Sequence, residues 1–320
     1  MSKANRGMGP GGSRRNGPRA SAKGATRGKA PSAGQEKAQG AREKVAAQRA
    51  EARRGEVRRR ALIVGASLAL VLAVAIGFIV VRVTAPPAQA GAAVSDAAVA
   101  HQVASVPAAT FDAVGAGTAT GPQPVSGQPE LTMNGKPEVL YMGGEFCPYC
   151  AAERWAIAAA LSRFGTLSGV QFIHSSPTDA YPSTPTLSFA NARYASKYLT
   201  FVPVELYSEK PDASTPTGYA YLQQPTSQQA ALLARYGGGS IPFVDIGNRY
   251  VVTAAQYLPS ALAGLTWSQV ASAMHDPNSP VARDIDGAAN MITAAICKLT
   301  HGQPAGVGSS AGVTAAARSI

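Results

Sequence analysis

Apolar side chains fall along this chain in distinct regimes. Residues 1–33 (MSKANRGMGPGGSRRNGPRASAKGATRGKAPSA) have almost nothing to bury, so a disordered segment is expected. From Gln35 to Arg60 helix formers dominate, but Val45 and Val57 are the only large apolar side chains, and a helix there has no core face. Residues 61–81, ALIVGASLALVLAVAIGFIVV, then run for 21 positions without a charge, with Ser67 as the one polar side chain. At about 1.5 Å per residue this helix is about 31 Å long, the thickness of a hydrocarbon core, which predicts a transmembrane span. From residue 82 to 129 the chain is rich in Ala, Pro and Gly with no sustained period and reads as an extended linker. Only residues 130–301 alternate apolar runs with turn signals and can build a core.

Within that stretch the pattern predicts several elements. Glu138–Met142 is a short, β-prone apolar run before Gly143-Gly144. Trp155, Ile157, Ala158, Leu161 and Phe164 recur at helical spacing, with Gly165 at the stop. VQFIH, ending at His174, reads as the second strand, and the Pro/Ser/Thr segment 175–186 as an exposed loop in which Tyr181 is a weak candidate for substrate contact. Residues 243–246 and 249–253 pair through a Gly247-Asn248 turn. Helices are expected over 227–236, 266–274 and 281–300, and a frayed tail over 302–320.

Charge sharpens the division. Residues 1–60 hold 17 Lys and Arg against 4 Asp and Glu, so the net +11 of the chain belongs to its first fifth. Arg58–Arg60 crowd one end of the apolar run and Arg82 stands alone at the other, which puts the N-terminus in the cytoplasm and the rest of the chain outside the plasma membrane. Ala88-Gln89-Ala90 resembles a cleavage site, but 21 apolar residues after a 60-residue basic tail fit an uncleaved anchor better than a signal peptide. The basic tail lacks aromatic interleaving and base-reading motifs, so a nucleic-acid partner is not expected.

The chemistry lies in Cys147 and Cys150. With a strand before them and a helix after, Pro148 takes the first helical position, where a missing N–H costs nothing, and Cys147 becomes the cap. A thiolate there faces unpaired backbone N–H groups and the positive end of the helix dipole, which favours ionisation. Cys150, one turn inward, can resolve a mixed disulfide formed at Cys147. A zinc set with Cys297 and His301 is a weaker reading, because 146 residues separate the two halves. Cys297 on its own fits a buried small hydrophobe. His174 fits a strand end, and Glu145 and Glu153 are expected in solvent without a role.

Strand, Cys147-Pro148-Tyr149-Cys150 and helix resemble the active-site unit of the thioredoxin superfamily, with the dipeptide typical of glutaredoxins. That superfamily places a cis-proline opposite the cysteines, and Gly239-Ser240-Ile241-Pro242-Phe243-Val244 is similar to that motif. The resemblance implies that Ile241 and Pro242, with Pro148 and Tyr149, hold the substrate chain beside Cys147. The tracts VQFIHSSPTDAYPSTPTLSF, ASKYLTFVPVELYSEKP and SIPFVDIGNRYVV also resemble a narrower group of membrane-anchored proteins, the domain-of-unknown-function family numbered 929. Two departures stand out. Tyr141 occupies the place of the buried carboxylate of thioredoxins, and Phe146 that of their tryptophan. A further Cys that the narrower family can carry beyond the position of Cys297 is missing here.

The expected fold is therefore α/β, a thioredoxin-like mixed sheet of four or five strands flanked by helices, with an enlarged insertion between the second strand and Ile241-Pro242. The expected function is disulfide exchange on protein substrates, without a cofactor and with a separate recycling partner. A non-catalytic adaptor built on the same fold is the alternative.

Overall fold

The structure, a computed structural model, describes residues 96–320. The expected basic tail and the span over 61–81 lie outside these residues. Among the described residues no helix is long and apolar enough to cross a membrane.

The elements follow in chain order: α1 (Asp96–Ala104), α2 (Ala108–Val114), β1 (Gln123–Pro124), β2 (Thr132–Met133), β3 (Lys136–Gly144) and α3 (Pro148–Ser162). Next come β4 (Thr166–Ser168), β5 (Gln171–His174), β6 (Pro185–Ser188), β7 (Arg193–Ala195), β8 (Thr200–Pro211), β9 (Tyr219–Tyr221) and α4 (Ser227–Gly237). The chain ends with β10 (Phe243–Ile246), β11 (Tyr250–Val252), a 3-10 turn at Pro259–Leu262, α5 (Trp267–Ala273), α6 (Pro280–Leu299), α7 (Ala305–Gly308) and α8 (Ala311–Ala316).

A central mixed sheet runs β1-β11-β10-β3-β8-β9, with β2 paired to β3. β3 and β8 are parallel, as a crossover through α3 requires, and β10 returns antiparallel to β3 with Phe243 opposite Met142. The two-residue period of β3 splits the core. Val139 and Tyr141 face α3 and α6, while Leu140 and Met142 join Val204, Leu232, Leu233 and Phe243 under α4. The β10–β11 hairpin closes as expected through Gly247 and Asn248, both at positive φ. Gly247 has a second constraint, since a Cβ there would lie 2.5 Å from Leu299 of α6. Thr226 and Thr266 each close a capping box with a glutamine, which sets the starts of α4 and α5.

Several expectations are corrected. The sheet has seven strands rather than four or five, because β1, β2 and β9 are only two or three residues long and too short to show alternation. VQFIH does form a strand, β5, but it pairs with β6 in a separate two-stranded sheet. The second strand of the central sheet is instead β8, so the insertion lies before it, in β4–β7, as well as after it. Residues 96–129 are not a linker over their length: α1 and α2 bury Val99, Val103 and Phe111 in the main core. Nor do residues 302–320 fray. α8 buries Val313 and Ala316, and its Gly312 packs so tightly on α2 that a Cβ would lie 2.3 Å from the Phe111 carbonyl oxygen. In both segments small residues allow close packing around a few large ones, a pattern too sparse to give a visible period.

Candidate active site

The cysteine pair sits where β3 runs into α3. Cys147 has an extended backbone (φ −77°, ψ 122°), Pro148 is the first helical residue, and the Cys150 N–H donates to Cys147 Sγ at 3.3 Å. Cys147 is thus a helix cap in which sulfur replaces the usual hydroxyl oxygen. It is 7% exposed and Cys150 not at all, so a reactant approaching the pair meets Cys147 first. All three cysteines are thiols.

The two sulfurs are driven apart electrostatically. The hydrogen bond from the Cys150 thiol holds Cys147 below the ordinary thiol range against the effect of burial, helped by the Cys150 N–H, Arg154 and the Tyr149 N–H. Burial pushes Cys150 well above that range, and its neighbour Cys147 adds to the shift. Cys147 is thus the more readily ionised of the two sulfurs and Cys150 the less.

Of the remaining residues singled out from the sequence, Pro148 and Pro242 are buried, Ile241 is half-buried and Tyr149 is 38% exposed. The Ile241–Pro242 bond is cis. Because Phe243 is paired with Met142, continuing the register carries Pro242 and Ile241 alongside Gly143 and Gly144. A Cβ on Gly144 would lie 3.2 Å from Ile241 Cδ1 and 3.0 Å from the Phe146 ring, so a glycine here lets both close over the strand end. Ile241-Pro242 and the cysteine loop are therefore brought together. Aromatic rings surround them: Phe146 stacks on Tyr219 at 4.1 Å and meets Tyr207 edge-on at 6.0 Å, and Tyr149 meets Tyr181 edge-on at 5.6 Å. The loop carrying Tyr181 is tied to the site, since Ser176 N–H donates to the Phe146 carbonyl at 2.8 Å.

Beneath the pair lies a charged floor that sequence reasoning missed. Arg154, fully buried, donates through Nε and Nη2 to both carboxylate oxygens of fully buried Glu205 at 2.8 and 2.7 Å. Its Cζ lies 5.8 Å from the ring of Tyr141, whose hydroxyl fills the space where a Gly143 Cβ would otherwise stand. The signal was present, because Arg154 follows Cys150 by one turn on a helix face that is otherwise apolar.

Glu145 and Glu153 are both corrected: neither reaches solvent. Glu145, 6% exposed, accepts from Ser188 Oγ at 2.5 Å and hydrogen-bonds the Glu209 carboxyl; burial raises its pKa to about 7. Glu153 is fully buried on α3, accepts from the Gln256 N–H at 3.0 Å, and is likewise raised by burial to about 7. The turns that would have exposed them are covered by β6 and by the segment around Gln256. His174 does stand at a strand end, its ring 4.5 Å from that of Trp267, and Cys297 is buried. Among the described residues no three His, Cys, Asp or Glu side chains come together as a metal site requires, so Cys297 and His301 do not complete a set with the pair.

These buried acids, with carboxyl values raised by burial, predict an inverted pH response. Burial also raises Asp245 to about 6 and Asp286 to about 8. A carboxyl whose folded value exceeds its unfolded one binds more protons when folded, so stability falls as pH rises from about 4.5 to 8. One pKa unit corresponds to about 1.4 kcal/mol, and ~1 kcal/mol moves the midpoint of a chain this size by about 2–4 °C. Thermal unfolding followed by circular dichroism should therefore give a Tm at least about 5 °C higher at pH 5.5 than at pH 8. An equal or lower Tm at pH 5.5 would contradict the burial of these groups.

The chain belongs to the family described as a domain of unknown function (DUF929), which matches residues 124–298. No curated protein and no solved structure matches it.

Proposed function

We propose that the protein is a thiol–disulfide oxidoreductase of thioredoxin type, held outside the cell membrane by the apolar segment 61–81 and acting on protein substrates in concert with a separate recycling partner. The observation that carries this reading is the cap geometry: Cys147 Sγ at the N-terminus of α3 accepts the Cys150 N–H, with Cys150 wholly buried behind it. The order of elements also supports it. A parallel β3–α3–β8 unit stands beside the antiparallel β10–β11 hairpin, with α6 further along the chain and the cis Ile241–Pro242 bond next to the cysteine loop.

In this reading the Cys147 thiolate attacks one sulfur of a substrate disulfide. A mixed disulfide forms, and the other substrate sulfur leaves with the electron pair and takes up a proton. Cys150 then loses its proton and attacks Cys147 Sγ. The Cys147–Cys150 disulfide forms, and the second substrate sulfur departs as a thiol. Two electrons have passed from protein to substrate, with one proton supplied by Cys150 and the other by solvent, and the same steps run backwards oxidise a substrate dithiol. The exposed ring of Tyr149 and the backbone around Ile241 are the groups a bound substrate chain meets.

Alkylation tests the premise. In the full-length protein, the rate of iodoacetamide labelling at Cys147 should reach half its maximum below the ordinary thiol value of about 8.5, while Cys150 stays unlabelled. A midpoint at or above that value would favour the non-catalytic adaptor.

A further inference from the structure

Resting on the exchange reading of the pair, we infer that Arg154 is a positioning residue for the resolving step: its guanidinium, fixed by Glu205, holds a positive charge beneath Cys150 so that the thiolate of Cys150 can form inside the closed site. Arg154 follows Cys150 by four residues on α3, which places the two side chains as neighbours on one helix face. Both are fully buried. The guanidinium cannot swing away, because its Nε and Nη2 are held by Glu205, whose Oε1 also accepts the Phe189 N–H at 3.1 Å. Its Nη1 is buried with no hydrogen-bond partner among the described residues, and so is the Tyr141 hydroxyl at the same floor. A buried ion pair adds little net stability over well-packed apolar residues. A buried donor left free on the helix face shared with a thiol that must ionise has a use in chemistry.

The need arises after the first attack. Cys147 is then tied up in the mixed disulfide, and Cys150 must lose its proton without water around it. Burial opposes that loss, and the Arg154 charge, ahead of the hydrogen bond from the Gly144 backbone, is the larger of the two contributions that favour it. The field from Arg154 also reaches Cys147, but there it ranks behind the hydrogen bonds from Cys150.

A chromogenic aryl disulfide separates the two steps. Attack by Cys147 releases one aryl thiolate, and displacement of the adduct by Cys150 releases a second. In full-length protein carrying Cys297→Ser, Arg154→Met should slow the second phase at pH 7 by about tenfold or more, one pKa unit in its pH profile, with a much smaller effect on the first. Arg154→Lys, which keeps the charge, should recover most of the rate. Glu205→Gln, which leaves the charge uncompensated, should move the second-phase profile toward lower pH. The double variant Arg154→Met/Glu205→Leu removes both charges without stranding either, and should fold while still showing the slowed second phase. Release of a single equivalent by the parent protein would overturn the exchange reading itself. Two equivalents, with a second-phase profile unmoved in the double variant or shifted the same way by Arg154→Met and Glu205→Gln, would overturn the role of Arg154 alone.

Discussion

Cys147→Ser is expected to lower the rate of disulfide exchange, measured as reduction of insulin by the full-length protein with dithiothreitol, by about 10³-fold or more. A hydroxyl at the cap keeps the hydrogen bond from the Cys150 N–H but cannot ionise near neutral pH or form a bond to a substrate sulfur. The fully buried Cys150 cannot take over, because it has no exposed surface through which to reach a substrate. Cys150→Ser should behave differently. The first attack survives and the mixed disulfide accumulates, visible as a substrate adduct on a non-reducing gel. Full activity in Cys147→Ser would remove the assignment of the nucleophile.

Trp155→Ala is expected to cost about 3–5 kcal/mol of stability. Trp155 is fully buried on α3, its ring lies 6.2 Å from that of Phe172, and its Nε1–H donates to the Pro185 carbonyl at 2.9 Å. The truncation leaves a cavity and an unsatisfied carbonyl between α3 and β5–β6. For a domain of this size the loss corresponds to a Tm lower by about 6–20 °C. Because Cys147 caps α3 and Cys150 lies in its first turn, activity should fall at temperatures where the parent protein is still folded. A Tm within about 2 °C of the parent would show that the insertion does not depend on this contact.

The parts of the fold that could be read beforehand are those where a local rule and the tertiary environment agree. Pro148 at the first helical position, Cys147 as cap and the Gly247-Asn248 turn each follow from a backbone requirement met within a few residues. β8 escaped notice because Pro203 interrupts its apolar run and its inward positions include Glu205, a residue that argues against a buried strand until Arg154 is seen opposite it. Glu145 and Glu153 were placed in solvent for the same reason: a carboxyl is assigned outward unless its partner is known, and the partners here, Ser188 and Gln256, lie 43 and 103 residues away. The packing of α1, α2 and α8 was equally hidden, since Phe111 and Val313 meet only in three dimensions. The cap position of Cys147 is thus legible from local chemistry, whereas the electrostatic environment beneath it depends on long-range pairing that no spacing reveals.

The central claim is that Cys147 and Cys150 interconvert between dithiol and disulfide. Equilibration of the full-length protein in glutathione buffers of graded potential, followed by mass analysis of alkylated samples, tests it most directly. The account predicts one reversible two-electron transition confined to these residues, with a midpoint in the range of about −270 to −120 mV spanned by catalytic dithiols. A pair that stays reduced throughout, or a disulfide that forms and resists reduction below about −300 mV, would contradict it.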